Sequence, residues 1–439
     1  MLIISGRYVV LPDGLLKDGA VLVIDGTIEE VGKSDEIMRK NPSEEKISFP
    51  RSVIMPGLIC SHSHAYGAFA RGMPLKAEPP KTFGEILERI WWRLDKKLRE
   101  EDIKYSGLVT AIDAIKHGTT STMDHHASPY SIRGSLDVLS SAFKEVGLRS
   151  NLAYEVSDRD GLDKAEEGIK ENVDFIKKHK NDGMITGSFG LHASLTLSDE
   201  TLQKAVEASK ELDVGFHIHV AEGVEDVSDS IRKSGKRVVE RLWSHGILGK
   251  KTIAVHAVHI NPLEVKILRE TGTWVVHCPE SNMNNAVGVS PIPFMMDMGV
   301  KVVLGTDGMT MDMFRESKFM YLLHKLNAAD PRVMPPDRII DTVIRANSEL
   351  MSIYANRRVG MIQKGACADI IAVRYMPHTP MNWDNFPAHF VFGMDSSQVE
   401  MVMVNGRIVF ERGSLLTVNE EEIMIRAEKL AMDLWERIN

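Results

Sequence analysis

The sequence predicts an α/β fold, a (β/α)8 barrel with a small β-sandwich module built from both chain ends. Between residues 56 and 364, eight apolar runs end in polar residues and alternate with helical patterns. Both chain ends instead show short alternating strands that turn at Gly and Asp, which is typical of antiparallel sheet. We therefore expect residues 1–55 and 365–415 to form the module, 56–364 the barrel, and 416–439 a terminal amphipathic helix.

The barrel strands are expected where apolar residues follow one another without a break. The eight runs are "VIMPGLICSHSH", "TTSTMDHH", "LRSNLAYEV", "ITGSFGLHA", "VGFHIHVAE", "TIAVHAVH", "TWVVHCPESN" and "VKVVLGTDG". Segments between them are typical of helices; in "SDETLQKAVEASKEL", Ser198 occupies an N-cap position and apolar residues recur at helical spacing. Each strand is thus followed by its own helix, as a closed barrel requires.

Composition excludes several classes of protein. The 439 residues, 43 % hydrophobic and 26 % charged, are typical of a globular chain larger than one ordinary domain. A net charge of −8 argues against a nucleic-acid partner, and no apolar stretch approaches the roughly 18–20 residues of a membrane helix. The N-terminus lacks the features of a secretion signal, and three cysteines (Cys60, Cys278 and Cys367) indicate a reducing compartment. A cytoplasmic location is expected.

Histidines concentrate at the predicted strand ends. Ten of the 16 histidines lie there. Together with the acidic residues at the same ends, they are His62, His64, Asp124, His125, His126, His192, His217, His219, Glu222, His256, His259, His277 and Asp307. Each histidine alone is explained as a hydrogen-bonded polar group at a strand end. The concentration of ten histidines at these ends is not explained in this way. Since active sites of such barrels lie at the carboxyl ends of the strands, the set predicts a functional site.

The spacing of four residues points to a metal. Residues two apart on a strand face the same side, so His62 and His64 project together. His217 and His219 repeat this spacing, with Glu222 just beyond, and Asp307 stands at a glycine turn. Imidazole nitrogens and a carboxylate suit a divalent transition metal, Zn²⁺ or Fe²⁺ in particular.

These motifs resemble a known family. "PGLICSHSH", "HIHVAE", "VHAVH", "HCPESN" and "LGTDG", in this order, resemble the amidohydrolase superfamily, and specifically its cytosine deaminase and chlorohydrolase-like branch. Within that branch, "WWRLD", "DHHASP", "SNMNN" and "GTDGM" are most similar to the SsnA-like aminohydrolases, which are linked to purine breakdown. The resemblance extends over roughly residues 1–412 and implies a metal-dependent hydrolase.

The resemblance also implies roles for individual residues. The metal ligands would be His62, His64, His219 and Asp307, and the catalytic residues Glu222, His256 and Asp307. His217 would be a neighbour of the metal site. Binuclear members carry a lysine on strand 4, where this chain has Ser188 and His192 instead. One divalent metal ion is therefore expected, with zinc favoured and iron as the alternative.

Substrate contacts are less clearly indicated. The candidates are Arg71, His125, His192 and Asn284. His125 could instead brace strand 2, and Asn284 could belong to a turn after strand 7. The long segment 66–92 could cover the site, although Trp91 and Trp92 are more typical of helix packing.

The expected activity is hydrolytic deamination of an amino-substituted nitrogen heterocycle, such as a purine, pterin or nucleoside, with release of ammonia. Hydrolysis of a C–Cl, C–S or cyclic amide bond on the same site is the alternative. A non-catalytic binding scaffold is the alternative of another class. The partner would be a small heterocyclic molecule; homo-oligomerisation stays open.

Overall fold

A computed structural model of the protein describes residues 1–74, 76 and 78–438. Its strands fall into two groups. Those of the chain ends are β1 (Leu2–Leu11), β2 (Gly14–Ile24), β3 (Thr27–Lys33), β4 (Glu45–Pro56), β14 (Ile370–Val373), β15 (Val399–Val404), β16 (Arg407–Glu411) and β17 (Ser414–Leu415). Those between are β5 (Leu58–Ser63), β6 (Thr119–His126), β7 (Arg149–Tyr154), β8 (Ile185–Gly187), β9 (Phe189–Ala193), β10 (Phe216–Val220), β11 (Ile253–His256), β12 (Trp274–His277) and β13 (Lys301–Leu304).

The helices lie mostly between the parallel strands, as predicted. They are α1 (Ser34–Lys40), α2 (Phe83–Ile86), α3 (Trp92–Leu94), α4 (Glu100–Lys116), α5 (Ser135–Val146), α6 (Leu162–Lys178), α7 (Asp199–Ser209), α8 (Val224–Ser234), α9 (Val238–Ser244), α10 (Pro262–Thr271), α11 (Pro279–Asn284), α12 (Ile292–Asp297), α13 (Met313–Ala328), α14 (Pro336–Ile340), α15 (Asn347–Ala355), α16 (Phe386–Gly393) and α17 (Glu420–Ile438). Ser198 caps α7 by accepting a hydrogen bond from Thr201 N at 3.2 Å. No helix in the described ranges has the length and apolarity to cross a membrane.

The predicted α/β class with parallel strands is confirmed, whereas the closed barrel is found only in part. The parallel strands form a four-stranded sheet, β5-β6-β7-β8, and a five-stranded sheet, β13-β12-β11-β10-β9. Strand 4 is divided at Ser188, so that β8 pairs with β7 and β9 pairs with β10. Isolated parallel bridges, Ser63 to Asp307 and Val156 to Leu191, join the two sheets at their seams.

Strands from both chain ends meet in one mixed sheet, in the order β17-β16-β15-β14-β4-β1-β2-β3. The two stacked sheets that define a sandwich are not found among the described residues. Within the predicted strand 1, the structure divides the run at Gly57: β4 joins this sheet and β5 joins the parallel one. A Cβ at Gly57 would lie 2.3 Å from the Thr120 side chain, so only glycine fits this crossing.

The chain between β5 and α4 forms a cover over the strand ends, which we call the roof and define as residues 83–97. It consists of α2, a π-helical turn at Leu87–Trp91, α3 and a 3-10 turn at Asp95–Lys97. The C-terminal helix α17 holds it in place. Arg93 Nη2 donates to Ile438 O at 2.7 Å, and Arg437 donates to Lys97 O at 2.5 Å and to both carboxylate oxygens of Asp102 at 2.9 and 2.7 Å.

Replacing Arg437 by Ala should destabilise the protein by about 3 kcal/mol, because Asp102 is buried and would lose its charged partner. Arg426→Ala is the matched control on the same helix, since its partner Glu101 is about half exposed and such pairs contribute less than about 1 kcal/mol. Chemical denaturation with an unchanged slope measures both. Equal losses for the two variants would contradict the proposed brace.

Candidate metal centre and cavity

Four predicted ligands meet at the strand ends, near the seam between β5 and β13. His64 Nε2 lies 3.1 Å from His219 Nε2 and 3.1 Å from Asp307 Oδ1. His62 Nε2 lies 3.5 Å from the same Asp307 oxygen. All four side chains are largely buried. The donor atom of His256 is also near, because those of His62, His219, His256 and Asp307 all lie within 4.8 Å of one another.

Backbone carbonyls decide which nitrogen of each ring is free. His64 Nδ1 donates to His125 O at 2.6 Å, and His219 Nδ1 donates to His192 O at 2.8 Å. In the neutral rings this places both protons on Nδ1 and leaves lone pairs on the two Nε2 atoms that face each other. His62 Nε2 is buried and has no hydrogen-bond partner in the described structure, while its Nδ1 lies 2.8 Å from His217 Nε2. Two nitrogen lone pairs that face each other at 3.1 Å repel, and a cation bound between them removes that repulsion.

The donor set fits a divalent metal. Metal–nitrogen bonds of 2.0–2.1 Å in tetrahedral geometry separate neighbouring ligand atoms by about 3.3 Å, close to the distances within this cluster. Burial alone would lower the pKa of His64, but the hydrogen bond and the charge of Asp307 outweigh it and raise that pKa to about 9. The negative charge of Asp307 thus stabilises a positive charge at His64 Nε2, whether a proton or a metal ion carries it.

Unusual backbone conformations aim the polar side chains. Ala221, His256 and Asp307 have φ angles of +48°, +71° and +58°, in the left-handed region that costs non-glycine residues energy. Each stands at or next to a residue predicted to act in catalysis. Gly305 lets the last strand approach β5, because a Cβ there would lie 2.7 Å from His62 N.

Glu222 lies beside the cluster with His256. Its Oε2 is 3.3 Å from His256 Nε2, and Asn285 Nδ2 donates to its Oε1 at 3.4 Å. Burial, together with the charge of Asp307, raises the pKa of Glu222 well above its usual range. Asn282 Nδ2 donates to His256 Nδ1 at 2.9 Å, and burial lowers the pKa of His256 to about 4. The neutral His256 ring therefore presents its Nε2 proton toward Glu222.

A cavity of about 660 Å³, part of it open to solvent, adjoins this cluster. The roof contributes one wall. The lining residues are His64, Tyr66, Phe83, Leu87, Trp91, Trp92, Asp95, Glu155, His192, Ala193, Leu195, His219, Glu222, Asp226, Asn285 and Asp307. Trp91 and Trp92, expected to pack helices, thus both face the cavity. Flat aromatic walls next to a few polar groups suit a heterocyclic ligand.

Of the four predicted substrate contacts, one lines the cavity and three do not. His192 lines the cavity, and its Nδ1 is 2.7 Å from Thr196 Oγ1. Arg71 is exposed and lines a small pocket that shares His64 and Asp307 with the cavity. Asn284 is exposed at a surface groove that shares Phe83, Trp91 and Asn285 with the cavity. His125 is fully buried behind the cavity, where its Nε2 donates to Leu191 O and His217 O, each at 3.1 Å. Arg71, His125 and Asn284 are not among the residues that line the cavity, and their role as substrate contacts stays a prediction.

Several lining residues escaped the sequence analysis. Asn285 occupies the position expected of its neighbour Asn284. Glu155 directly follows β7, so the strand-end rule applied to "LAYEV" pointed to it. Its carboxylate lies 3.3 Å from His125 Nδ1 and 3.6 Å from His192 Nε2. Burial alone would raise the pKa of Glu155, but its interactions with His192 and His125 hold that pKa well below the usual range. Asp95 and Asp226 lie on helical segments, where no periodic pattern marks them.

Comparison with known proteins identifies the family. The model of the amidohydrolase family matches residues 53–409. A 5'-deoxyadenosine deaminase from Methanopyrus kandleri is 32 % identical over 446 residues, covering 99 % of both chains. A 5-methylthioadenosine/S-adenosylhomocysteine deaminase from Pelotomaculum thermopropionicum is 30 % identical and covers 97 % of this chain and 96 % of its own.

Solved structures share the fold over the same length. An adenosine deaminase from Xanthomonas campestris, with bound zinc, has a TM-score of 0.88 at 22 % identity, covering 99 % of this chain and 98 % of its own. Atrazine chlorohydrolase from Arthrobacter aurescens, complexed with zinc, has a TM-score of 0.84 at 20 % identity, covering 98 % and 100 %. The family match extends over most of the chain, from β4 to β16, and includes every residue of the metal cluster: this protein belongs to the amidohydrolase family.

Proposed function

We propose that this protein is a metal-dependent hydrolytic deaminase of an adenosine-like nucleoside. The observation that carries the proposal is the position of Glu222, a buried carboxyl with a raised pKa, beside the convergent donor set. Full-length relatives at 30 % identity or more that are named as deaminases of 5'-modified adenosines support the substrate class.

The proposed ligands are His62, His64, His219 and Asp307, and the proposed ion is a single zinc. The neutral Nε2 atoms and the carboxylate suit zinc, and the second nitrogen of each ring is held by a neighbour, as is usual for metal-binding histidines. When bound, the ion supplies a Lewis acid that lowers the pKa of a water molecule toward 7.

The chain's own residues move the protons. Glu222, protonated at its raised pKa, donates to a ring nitrogen of the substrate and makes the neighbouring carbon electrophilic. Asp307 accepts a hydrogen bond from the attacking water and orients it. His256 directs its Nε2 proton at the oxygen that adds to the ring. The water gives one proton to Asp307 as its oxygen bonds to the carbon, so the resulting tetrahedral carbon carries both –OH and –NH₂. Asp307 then passes that proton to the amino group, ammonia leaves, and the hydroxyl proton returns to Glu222 as the carbonyl forms.

The cavity walls position the ring. Trp91, Trp92, Phe83 and Tyr66 offer flat apolar surface, and His192 and Asn285 offer polar atoms beside it. Burial lowers the pKa of His192 to about 4, so the ring is neutral at physiological pH and can exchange hydrogen bonds with a purine.

An ammonia-release assay tests the proposal. Zinc-loaded protein is supplied with adenosine, 5'-deoxyadenosine, 5'-methylthioadenosine, guanine and a pterin, and with a chlorotriazine whose chloride release is followed separately. We expect ammonia from the adenosine derivatives, lost after chelation and restored by zinc. Chloride release without ammonia release would instead favour C–Cl hydrolysis. Neither product, despite one bound zinc per chain, would favour a binding scaffold.

A further inference from the structure

The cavity lining is rich in carboxylates and, among the described residues, contains no lysine or arginine side chain. The carboxyl groups of the lining, which lies within the described ranges, come from Asp95, Glu155, Asp226, Glu222 and Asp307. Three histidines also line the cavity, but neither a lysine nor an arginine does. Two of the carboxyls have roles in the proposed reaction. Asp226 accepts from Leu195 N at 2.8 Å and from Ala221 N at 2.9 Å, which explains it as a support of the loop that carries Glu222.

Asp95 and Glu155 have no part in the proposed chemistry. Glu155 is ionised and buried, and its charge is shared between His125 and His192. Asp95 lies on the roof, is 1 % exposed, and forms a short ion pair with Arg159. These two carboxylates therefore shape the charge that a substrate meets on entering the cavity.

Arg159 is a guanidinium directly behind this wall. Its Nε is 3.2 Å from Asp160, its Nη2 donates to Asp95, and its Cζ lies 5.3 Å from the centre of the Trp92 ring. Its Nη1 is buried and has no hydrogen-bond partner in the described part of the chain. The guanidinium thus has a donor to spare; it does not itself line the cavity, but it contacts Asp95 and Trp92, which do.

We infer that the Asp95–Arg159 pair masks this guanidinium and that the site consequently selects nucleosides whose 5' substituent is neutral or cationic over those whose 5' substituent is anionic. The inference rests on the proposed function and deepens it. A carboxylate or phosphate that entered beside Glu155 and Asp95 would lose its hydration and find no lysine or arginine side chain in exchange. A methyl or alkylthio group has no such cost, and an ammonium group gains a partner.

Three nucleosides of similar size test this: 5'-deoxyadenosine, 5'-amino-5'-deoxyadenosine and adenosine 5'-carboxylate. For the zinc-loaded protein, we expect kcat/KM for the carboxylate to be at least tenfold below kcat/KM for 5'-deoxyadenosine. We expect kcat/KM for the amine to be within about threefold of the value for 5'-deoxyadenosine. Equal values for the carboxylate and 5'-deoxyadenosine would overturn the inference.

Asp95→Asn should unmask Arg159. We expect it to reduce the preference for 5'-deoxyadenosine over the carboxylate at least fivefold, chiefly by lowering the KM of the carboxylate. Asp160→Asn is the matched control, because it removes an equal charge beside the same guanidinium but outside the cavity lining. Its preference for 5'-deoxyadenosine over the carboxylate should stay within twofold of the parent's preference. Equal changes in the two variants would overturn the role of Asp95.

A binding measurement tests this inference independently of the proposed function. Calorimetry of the three compounds on zinc-loaded Glu222→Gln protein measures the same ranking without turnover, and it also serves if Asp95→Asn does not fold. Weak binding of the carboxylate alone supports the inference even if no compound is deaminated, in which case the proposed function fails. Ammonia release from all three at equal efficiency supports the function and overturns the inference.

Discussion

Replacing Glu222 by Gln lowers kcat at least a hundredfold and leaves one metal ion bound per chain; this is the result we expect for the group that carries the proton. Glutamine keeps the size and hydrogen-bonding capacity of the side chain but cannot give its proton to the ring. Proton transfer by a positioned side chain contributes on the order of 10²–10⁴ in rate. The carboxyl contacts His256 and Asn285, both of which remain.

The measurement combines steady-state ammonia release with metal analysis of the same preparation. Glu200→Gln, an exposed change on α7, is the control and should behave like the parent. Full turnover in Glu222→Gln would remove Glu222 from the mechanism. Loss of the metal in this variant would instead place the carboxyl among the ligands, since a proton carrier is not required for binding.

Replacing His219 by Ala should abolish tight metal binding, with an affinity loss on the order of 10²–10³-fold. Structural zinc sites bind with roughly 10–16 kcal/mol, so one of four ligands accounts for about 3 kcal/mol or more. His219 presents an Nε2 lone pair that its backbone partner has already oriented toward His64 and Asp307. Activity should fall in parallel with metal content and return only at high metal concentration.

Two other histidines make this test specific. His217→Ala removes the neighbour of His62, and changes to such supporting groups usually cost 10–100-fold in affinity. His277→Ala removes a buried strand-end histidine that contacts His324 at 3.0 Å, and its metal affinity should match the parent. Competition with a chromophoric chelator measures all three. A His219 variant that binds as tightly as the His277 variant would exclude His219 from the ligand set.

The strand-end rule explains why so much of the metal cluster could be predicted. His62 and His64 stand two apart on one strand, so they face one way whatever the rest of the chain does. Asp307 and His256 also follow apolar runs, and residues at parallel strand ends share one edge of a sheet. The same rule applied to β7 indicates Glu155, which was overlooked because a single acid after a strand is common.

Substrate contacts could not be predicted in the same way. Arg71 and Asn284 lie on connections whose path depends on packing against distant elements, and both are exposed residues outside the cavity lining. Asp95 and Trp92 reach the cavity because the roof folds back over the strand ends and is braced by α17, more than 300 residues later. His125 is at a strand end, yet its ring enters the barrel interior and is held there by two carbonyls.

The amino-acid sequence was sufficient to predict the alternation of strands and helices, the cluster of candidate metal ligands and the family resemblance. Each follows from local periodicity or from short motifs, which need no knowledge of distant contacts. Tertiary structure alone decided that the parallel strands form two sheets joined by bridges, that the strands of the two chain ends pair in one eight-stranded sheet, and that Asp95 pairs with Arg159. Those features depend on hydrogen bonds and charges between residues far apart in the chain, and local pattern carries no information about which distant partners meet.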